Sequence, residues 1–166
     1  MDFRRNSNRI LYYGEENGGL SMMSYIQELR KVIGSQAIIT VGATIMVYND
    51  KGEILLHQRS DTGIWGIPGG AMAPGETIEQ TARRELYEGT GLEAEELRLK
   101  SVLTGPEYFF VYPNGEQVHT VIVLYEAIGA SGDLLIRENR ELKYFPLNEL
   151  PKLEPRAAGI FSQLGA

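Results

Sequence analysis

Apolar and polar positions alternate with two different periods along this chain, and the changes of period mark its elements. Behind Ser24 as N-cap, Tyr25, Ile26, Leu29 and Ile33 fall on one face at helical spacing, and Gly34 is placed to end that helix. Two β-rich segments follow, Ile38 to Tyr48 and Glu53 to Arg59, joined by Asn49-Asp50-Lys51-Gly52, so a hairpin is expected. After a Gly-rich loop from Gly63 to Gly75, Thr77 and Gln80 form a capping-box pair, and Ile78, Ala82 and Leu86 continue as a buried helical stripe. Strand texture returns over Leu97 to Leu103, Tyr108 to Tyr112 and Gln117 to Ala127, the last two joined by Pro113-Asn114-Gly115. Glu141 to Pro146 reads as a short strand. Arg156 to Leu164 reads as a closing helix with Ala157, Ile160, Phe161 and Leu164 inward. The expected fold class is α/β, a mixed β-sheet sandwiched by helices.

Composition narrows the function classes. The 166 residues suit one domain. Acids outnumber Lys plus Arg by 22 to 16, which argues against a nucleic-acid groove or an anionic membrane surface and toward cations. Seven Glu against two Arg lie between Glu76 and Leu97, so most of the net charge of −6 sits on one predicted helix and its exit. The absence of Cys excludes disulfides, thiolate metal sites and Cys nucleophiles, and favours a cytoplasmic protein. The longest weakly interrupted apolar run, Ala37 to Val47, is too short to cross a bilayer, so a soluble protein is expected. Residues 1–22 lack any signal-peptide core and read as a poorly packed extension to a domain over 23–166. A start at Met22 or Met23 is an alternative, since Gly18-Gly19 can be encoded by a ribosome-binding-like sequence.

Chemistry concentrates between Gly70 and Leu92. Gly70 and Gly75 bracket four residues as a phosphate-binding P-loop does, but Glu76 stands where that loop needs Lys and would repel phosphates unless a cation intervened. Glu85 and Glu88 lie about 60° apart on the helix, at the edge of its apolar stripe. Paired carboxylates there suit a hard divalent cation that keeps waters for a phosphate substrate to displace. A solvated face with an Arg84–Glu88 pair is the plainer reading of the same two residues.

Spacing decides between them. Gly70, Glu76, Arg84, Glu85, Leu86, Glu88, Gly91 and Leu92 meet eight of the nine specified positions of GX5EX7REUXEEXGU, with U aliphatic, and the segment thereby resembles the Nudix (MutT-like) hydrolase family. The flanks Leu55 to Arg59, Gly63 to Gly69, Glu141 to Phe145 and Glu149 to Pro151 agree with it. The ninth position is Gly89 in place of Glu.

The resemblance implies a Nudix-type α/β/α sandwich and hydrolysis of a phosphoanhydride in a nucleoside diphosphate derivative, ADP-ribose-like or a dinucleoside polyphosphate. It implies Mg²⁺, with Mn²⁺ as an alternative, held by the Gly70 carbonyl, Glu85, Glu88 and a completing acid. Glu138 is the candidate for completion and Glu116 the weaker one; Glu85 or Glu138 would orient the attacking water. Arg59 and Tyr108 are the candidate substrate contacts, a surface ion pair and core packing being their plainer readings. Glu76 and Arg84 read as a structural ion pair, Trp65 as a loop anchor packed under the box, and His57 and His119 as structural or peripheral. The expected partner is a small nucleotide derivative, without nucleic acid or membrane, and a homodimer is left open. The alternative to an enzyme is a nucleotide-binding or regulatory module weakened by Gly89.

Overall fold

The computed structural model describes residues 13–16, 19–22, 25–59, 63–112 and 114–165. Ser24 lies outside them. Within the expected N-terminal extension, β1 (Tyr13–Glu16) and β2 (Gly19–Met22) pair antiparallel.

Ten residues of β3 (Ile38–Val47) form the centre of the molecule. All ten run parallel to β9 (Gln117–Ile128), in register from Ile38 opposite Val118 to Val47 opposite Ala127. On its other edge β3 pairs antiparallel with the short β6 (Gly69–Ala71). The far edge of β9 takes β7 (Glu96–Leu103) and β8 (Phe109–Val111), both antiparallel. A second sheet has the order β10 (Arg140–Phe145), β4 (Ile54–Arg59), β5 (Trp65–Gly66).

The expected hairpin between Ile38–Tyr48 and Glu53–Arg59 is therefore not the pairing that forms. Its turn is present, with Asn49 Oδ1 accepting from the Lys51 and Glu53 amides at 3.0 Å each. A single bridge joins Tyr48 to Ile54 before the arms part into separate sheets. The reason lies in the side chains: Ile45, Met46 and Val47 are all buried, as are Ile54, Leu55 and Leu56. Consecutive buried residues need cover on both faces, which one half-exposed hairpin cannot supply.

Period-two alternation divides the core into two clusters. Ala43, Ile45, Val47, Tyr125 and Ala127 face α2 (Ile78–Thr90) through Ala82 and Leu86. Met46, Ile122 and Leu124 face the opposite side, with Trp65, Tyr108 and the Ala157, Ile160 and Phe161 stripe of α3 (Pro155–Leu164). The result is the α/β/α arrangement expected. Leu164, expected inward on α3, is 42% exposed. In α1 (Tyr25–Ile33) the side chain drawn inward is Arg30, because its guanidinium donates to the carbonyls of Gly34 (3.0 Å), Gln36 (2.5 Å) and Gln117 (2.8 Å). Those bonds tie the helix exit to the start of β9. Among the described residues no helix is long and apolar enough to cross a membrane.

Candidate active site

Local sequence sets up the site before any long-range contact does. The Thr77 side chain accepts from the Gln80 amide, and the Gln80 side chain accepts from the Thr77 amide, closing the capping box that starts α2. Gly91 ends the helix in the left-handed region at φ 81°. Between these stops, α2 lies against β3 and β6 and carries its acidic edge to the Gly70 strand.

Gly70 and Glu85 meet without a gap. A Cβ at Gly70 would stand 2.4 Å from the Glu85 carboxyl carbon, so only glycine lets the carboxylate reach the backbone of β6. On the β3 side, a Cβ at Gly42 would come within 2.8 Å of the Gly70 carbonyl oxygen. Two glycines thus let the Glu85 carboxylate and strand β3 both approach the Gly70 backbone closely.

Arg84 holds this arrangement. It grips Glu76 bidentately, Nε to Oε1 at 2.6 Å and Nη2 to Oε2 at 3.0 Å, and its Nη2 also donates to the Ala71 carbonyl at 3.0 Å. Its Nη1 donates to Glu85 Oε1 at 2.5 Å and reaches Glu88 Oε2 at 3.5 Å. Glu76 also accepts from the Ala73 amide (3.0 Å) and the Thr81 hydroxyl (2.9 Å). Burial pushes the Glu76 carboxyl upward, but the Arg84, Ala73 and Thr81 hydrogen bonds and the guanidinium charge outweigh it and hold the pKa at about 2. Glu85 goes the other way. Burial raises its carboxyl above the usual range against the pull of Arg84, and the Glu88 and Glu76 charges add to the rise. A buried carboxylate crowded by like charge stabilises an added cation. Glu76 and Arg84 form the structural pair expected of them.

The remaining candidates separate. Glu88 is more open, its side chain 60% exposed. Arg137 Nη2 donates to the Glu88 backbone carbonyl at 2.7 Å, docking the loop after β9 on the end of α2. Glu138 lines a shallow depression of about 380 Å³ with Arg137, Arg140 and Glu141, whereas Glu116 lines the main cavity and pairs with Arg30 at 3.6 Å. Among the described residues, no three His, Asp or Glu side chains gather as a metal-binding group. The Arg59 side chain lies outside the described residues; its backbone is the register partner of Arg140.

The main cavity, about 870 Å³, runs from Gly69, Gly70 and Ala71 across Thr40, Gly42 and Thr44 of β3 toward α3. Tyr108 is absent from its wall. It is 1% exposed in the core, its ring 3.8 Å from where a Gly159 Cβ would stand on α3. The expected strand starts one residue later, because Pro106–Tyr108 form a 3-10 turn that rotates Tyr108 inward. Gly105-Pro106 was the available signal for that turn. Tyr112 reaches the cavity instead, accepting from Arg156 Nη2 at 3.2 Å, while the Arg156 guanidinium sits 4.9 Å over Phe110. Trp65 is an anchor, but on the α3 side and edge-on to Phe145 at 4.7 Å, not under the box.

Sequence reasoning missed His57, Glu154, Arg140 and Arg156, all on the cavity wall. Glu154 Oε1 and His57 Nε2 converge on Gly66, at 2.7 and 3.3 Å from where its Cβ would stand. These residues come from three separate places in the chain, β4, the start of β10 and the start of α3, and no motif spacing links them.

Comparisons with known proteins agree with this fold. Residues 39–164 match the NUDIX domain. A MutT NUDIX hydrolase structure from Burkholderia pseudomallei superposes with a TM-score of 0.64 at 30% identity, covering 76% of this chain and 98% of that one. A putative 8-oxo-dGTP diphosphatase of Bacillus subtilis is 46% identical over 55 residues, 33% of this chain and 37% of the relative. An ADP-ribose pyrophosphatase of Methanocaldococcus jannaschii is 35% identical over 105 residues, 61% of this chain and 59% of the relative. The matched parts are thus well under two thirds of those two curated relatives. With its domain match, its sandwich and its Gly70 to Leu92 loop and helix in agreement, this chain belongs to the Nudix family.

Proposed function

We propose that the chain is a divalent-metal-dependent pyrophosphohydrolase that cleaves a phosphoanhydride bond in a nucleoside diphosphate derivative. The observation that carries this reading is the Glu85 carboxylate, raised in pKa by burial and by like charges and packed against Gly70, a residue whose strand lines a cavity large enough for a nucleotide. The donor set fits the metal: Glu85, Glu88 and the Gly70 carbonyl are hard oxygen ligands, and a magnesium-like ion needs only one or two carboxylates when substrate phosphates and water complete its shell. Such an ion supplies charge neutralisation for the diphosphate and acidifies water. Glu85, fixed by Arg84, orients a water and takes its proton as the oxygen attacks phosphorus in line. The anhydride P–O bond breaks, and a nucleoside monophosphate leaves with the other phosphorylated group.

Support for the bond class comes from what the relatives share. An 8-oxo-dGTP diphosphatase, an ADP-ribose pyrophosphatase and a nucleoside triphosphatase differ in substrate but all are named for phosphoanhydride cleavage. The substrate is proposed no more finely than a nucleoside diphosphate derivative. Mg²⁺ is the proposed ion, with Mn²⁺ as its substitute, and the cytoplasm the proposed compartment. A second reading, a binding module without turnover, rests on Gly89.

The test is an assay of nucleoside monophosphate release from a panel of nucleotide derivatives with Mg²⁺ or Mn²⁺. Turnover in wild type, with Glu85→Gln lower by about 10²- to 10⁴-fold, supports the enzyme. Absence of turnover in wild type with its appearance in Gly89→Glu supports the binding module. Glu138 stays proposed as the third carboxylate: Glu138→Ala losing more activity than Glu116→Ala supports it, and the reverse order refutes it.

A further inference from the structure

The main cavity has an end far from the box. Phe110 of β8 is the register partner of Val118, and Ile122, further along β9, lies opposite Gly42 and so next to Ala71 of β6. At about 3.3 Å per residue and about 4.8 Å per strand, Phe110 and Ala71 are roughly 20 Å apart across the sheet. Side chains reaching in from both ends shorten the gap that a ligand must span. The floor between them carries Thr40, Gly42, Thr120 and Ile122, with the two threonine hydroxyls 3.5 Å apart.

What stands at the far end is a cation without a counter-ion. Arg156, the second residue of α3, is half-buried and lines the cavity together with Tyr112. Two neutral groups hold its guanidinium: Nη2 donates to the Tyr112 hydroxyl at 3.2 Å, and Cζ sits 4.9 Å over the Phe110 ring. Its Nε is buried with no hydrogen-bond partner. Among the described residues no carboxylate comes within ion-pairing distance of it. Of the two acids on the cavity wall, Glu116 pairs with Arg30 at 3.6 Å, and the Glu154 carboxylate converges with His57 on Gly66. Arg83 and Arg84, by contrast, each bond a carboxylate. The Arg156 guanidinium has thus been partly desolvated without a compensating charge, which a bound anion supplies. Its planar fork matches phosphate oxygens. Because the Tyr112 oxygen accepts from Arg156, the phenolic proton can be donated to the same anion.

We propose that this end of the cavity is a second anion subsite, in which Arg156 and the Tyr112 hydroxyl bind a phosphate monoester of the substrate that is not part of the anhydride cleaved. The favoured substrates are then nucleoside diphosphate derivatives that carry a further phosphate on the nucleoside. The substrate class rests on the nucleoside diphosphate reading above; the subsite does not rest on turnover.

The test is titration calorimetry of the full chain in MgCl₂ with nucleotides that contain no anhydride and so are not consumed: AMP, GMP, adenosine 2′,5′-bisphosphate and adenosine 3′,5′-bisphosphate. At least one bisphosphate should bind wild type about tenfold or more tighter than AMP, the worth of a charge-assisted hydrogen bond. Arg156→Ala should lose that gain while keeping AMP affinity within about threefold, and Tyr112→Phe should lose part of it. Arg156→Gln keeps a donor for Tyr112 but not the charge; it should lose the gain as alanine does, and it reads the result if Arg156→Ala does not fold. Bisphosphates no tighter than AMP overturn the proposal, and so does a gain that survives in the Arg156 variants. GMP bound more tightly than AMP through Arg156, with no bisphosphate gain, gives the guanidinium to a base carbonyl and overturns it too. The bisphosphate gain in a chain that releases no nucleoside monophosphate from any derivative upholds the subsite and sinks the enzyme reading alone. Turnover without the gain does the reverse.

Discussion

Gly70 and Glu85 share one small volume, and that makes each a sensitive probe of the other. Gly70→Ala puts a methyl carbon 2.4 Å from the carboxyl carbon, so the carboxylate must leave. A displacement of about 1 Å at a reacting group is worth about 100-fold in rate. Gly70→Ala should therefore lose about that much turnover while its circular dichroism spectrum stays that of wild type; near-normal turnover would show that Glu85 does not work from its observed position. Glu76 gives a stability prediction with a fixed sign. Its folded pKa of about 2 lies below the ordinary 4.5, so its contribution is complete above 4.5 and is lost as pH falls through 2. The shift corresponds to on the order of 2–3 kcal/mol. Denaturant melts at pH 5 and pH 2 should show the advantage of wild type over Glu76→Gln shrinking by about that amount, and an advantage that does not change with pH would refute the ion-pair account. The raised Glu85 pKa runs oppositely, favouring the fold at low pH and lost as pH rises through its folded value, so Glu76 must be read from the difference between variants.

At the scale of elements, α2 owes its length to its two ends. The left-handed Gly91 faces the Asp133 carbonyl, 2.5 Å from where a Cβ would stand, so Gly91→Ala meets both backbone strain and a clash. It should cost at least about 1–2 kcal/mol in denaturant unfolding, more than the loss of about 1 kcal/mol for Thr77→Ala; equal costs would mean that the helix exit is free to relax. These stops were readable in the sequence because caps are local chemistry: Thr77, Gln80 and Gly91 act on backbone groups within one turn. Pair choice between strands was not readable. Asn49 to Gly52 makes the turn it advertises, yet whether its arms stay together depends on cover for Ile45 to Val47 and Ile54 to Leu56, which comes from α2, α3 and β9. Tyr108 failed for a related reason, since an alternation rule applied across a 3-10 turn assigns the wrong face. The carboxylates of the site were legible because one helix carries them. Arg140, Arg156, His57 and Glu154 were not, because only the packing of β4, β10 and α3 around one cavity brings them together.

For the whole molecule, the uneven charge becomes a thermodynamic handle. Five of the six net negative charges lie between Glu76 and Leu97, and within that stretch Arg84 satisfies Glu76 more fully than Glu85 or Glu88. A cation that binds the folded chain at these two carboxylates stabilises it by mass action, by about 2.7 kcal/mol at a hundred times its dissociation constant. General screening of an acidic surface also stabilises, but it depends on ionic strength and not on which cation supplies it. Thermal melts in MgCl₂ and in KCl of matched ionic strength separate the two effects. Wild type should show an additional rise in Tm with MgCl₂, and Glu85→Gln/Glu88→Gln should show only the rise that KCl gives. If wild type responds equally to both salts, the acidic edge of α2 is a solvated helix face after all, and the metal is held elsewhere or not at all. If the double variant keeps the Mg²⁺ increment, the ion is bound by other acids, and Glu138 and Glu116, on their separate walls, are the next to replace.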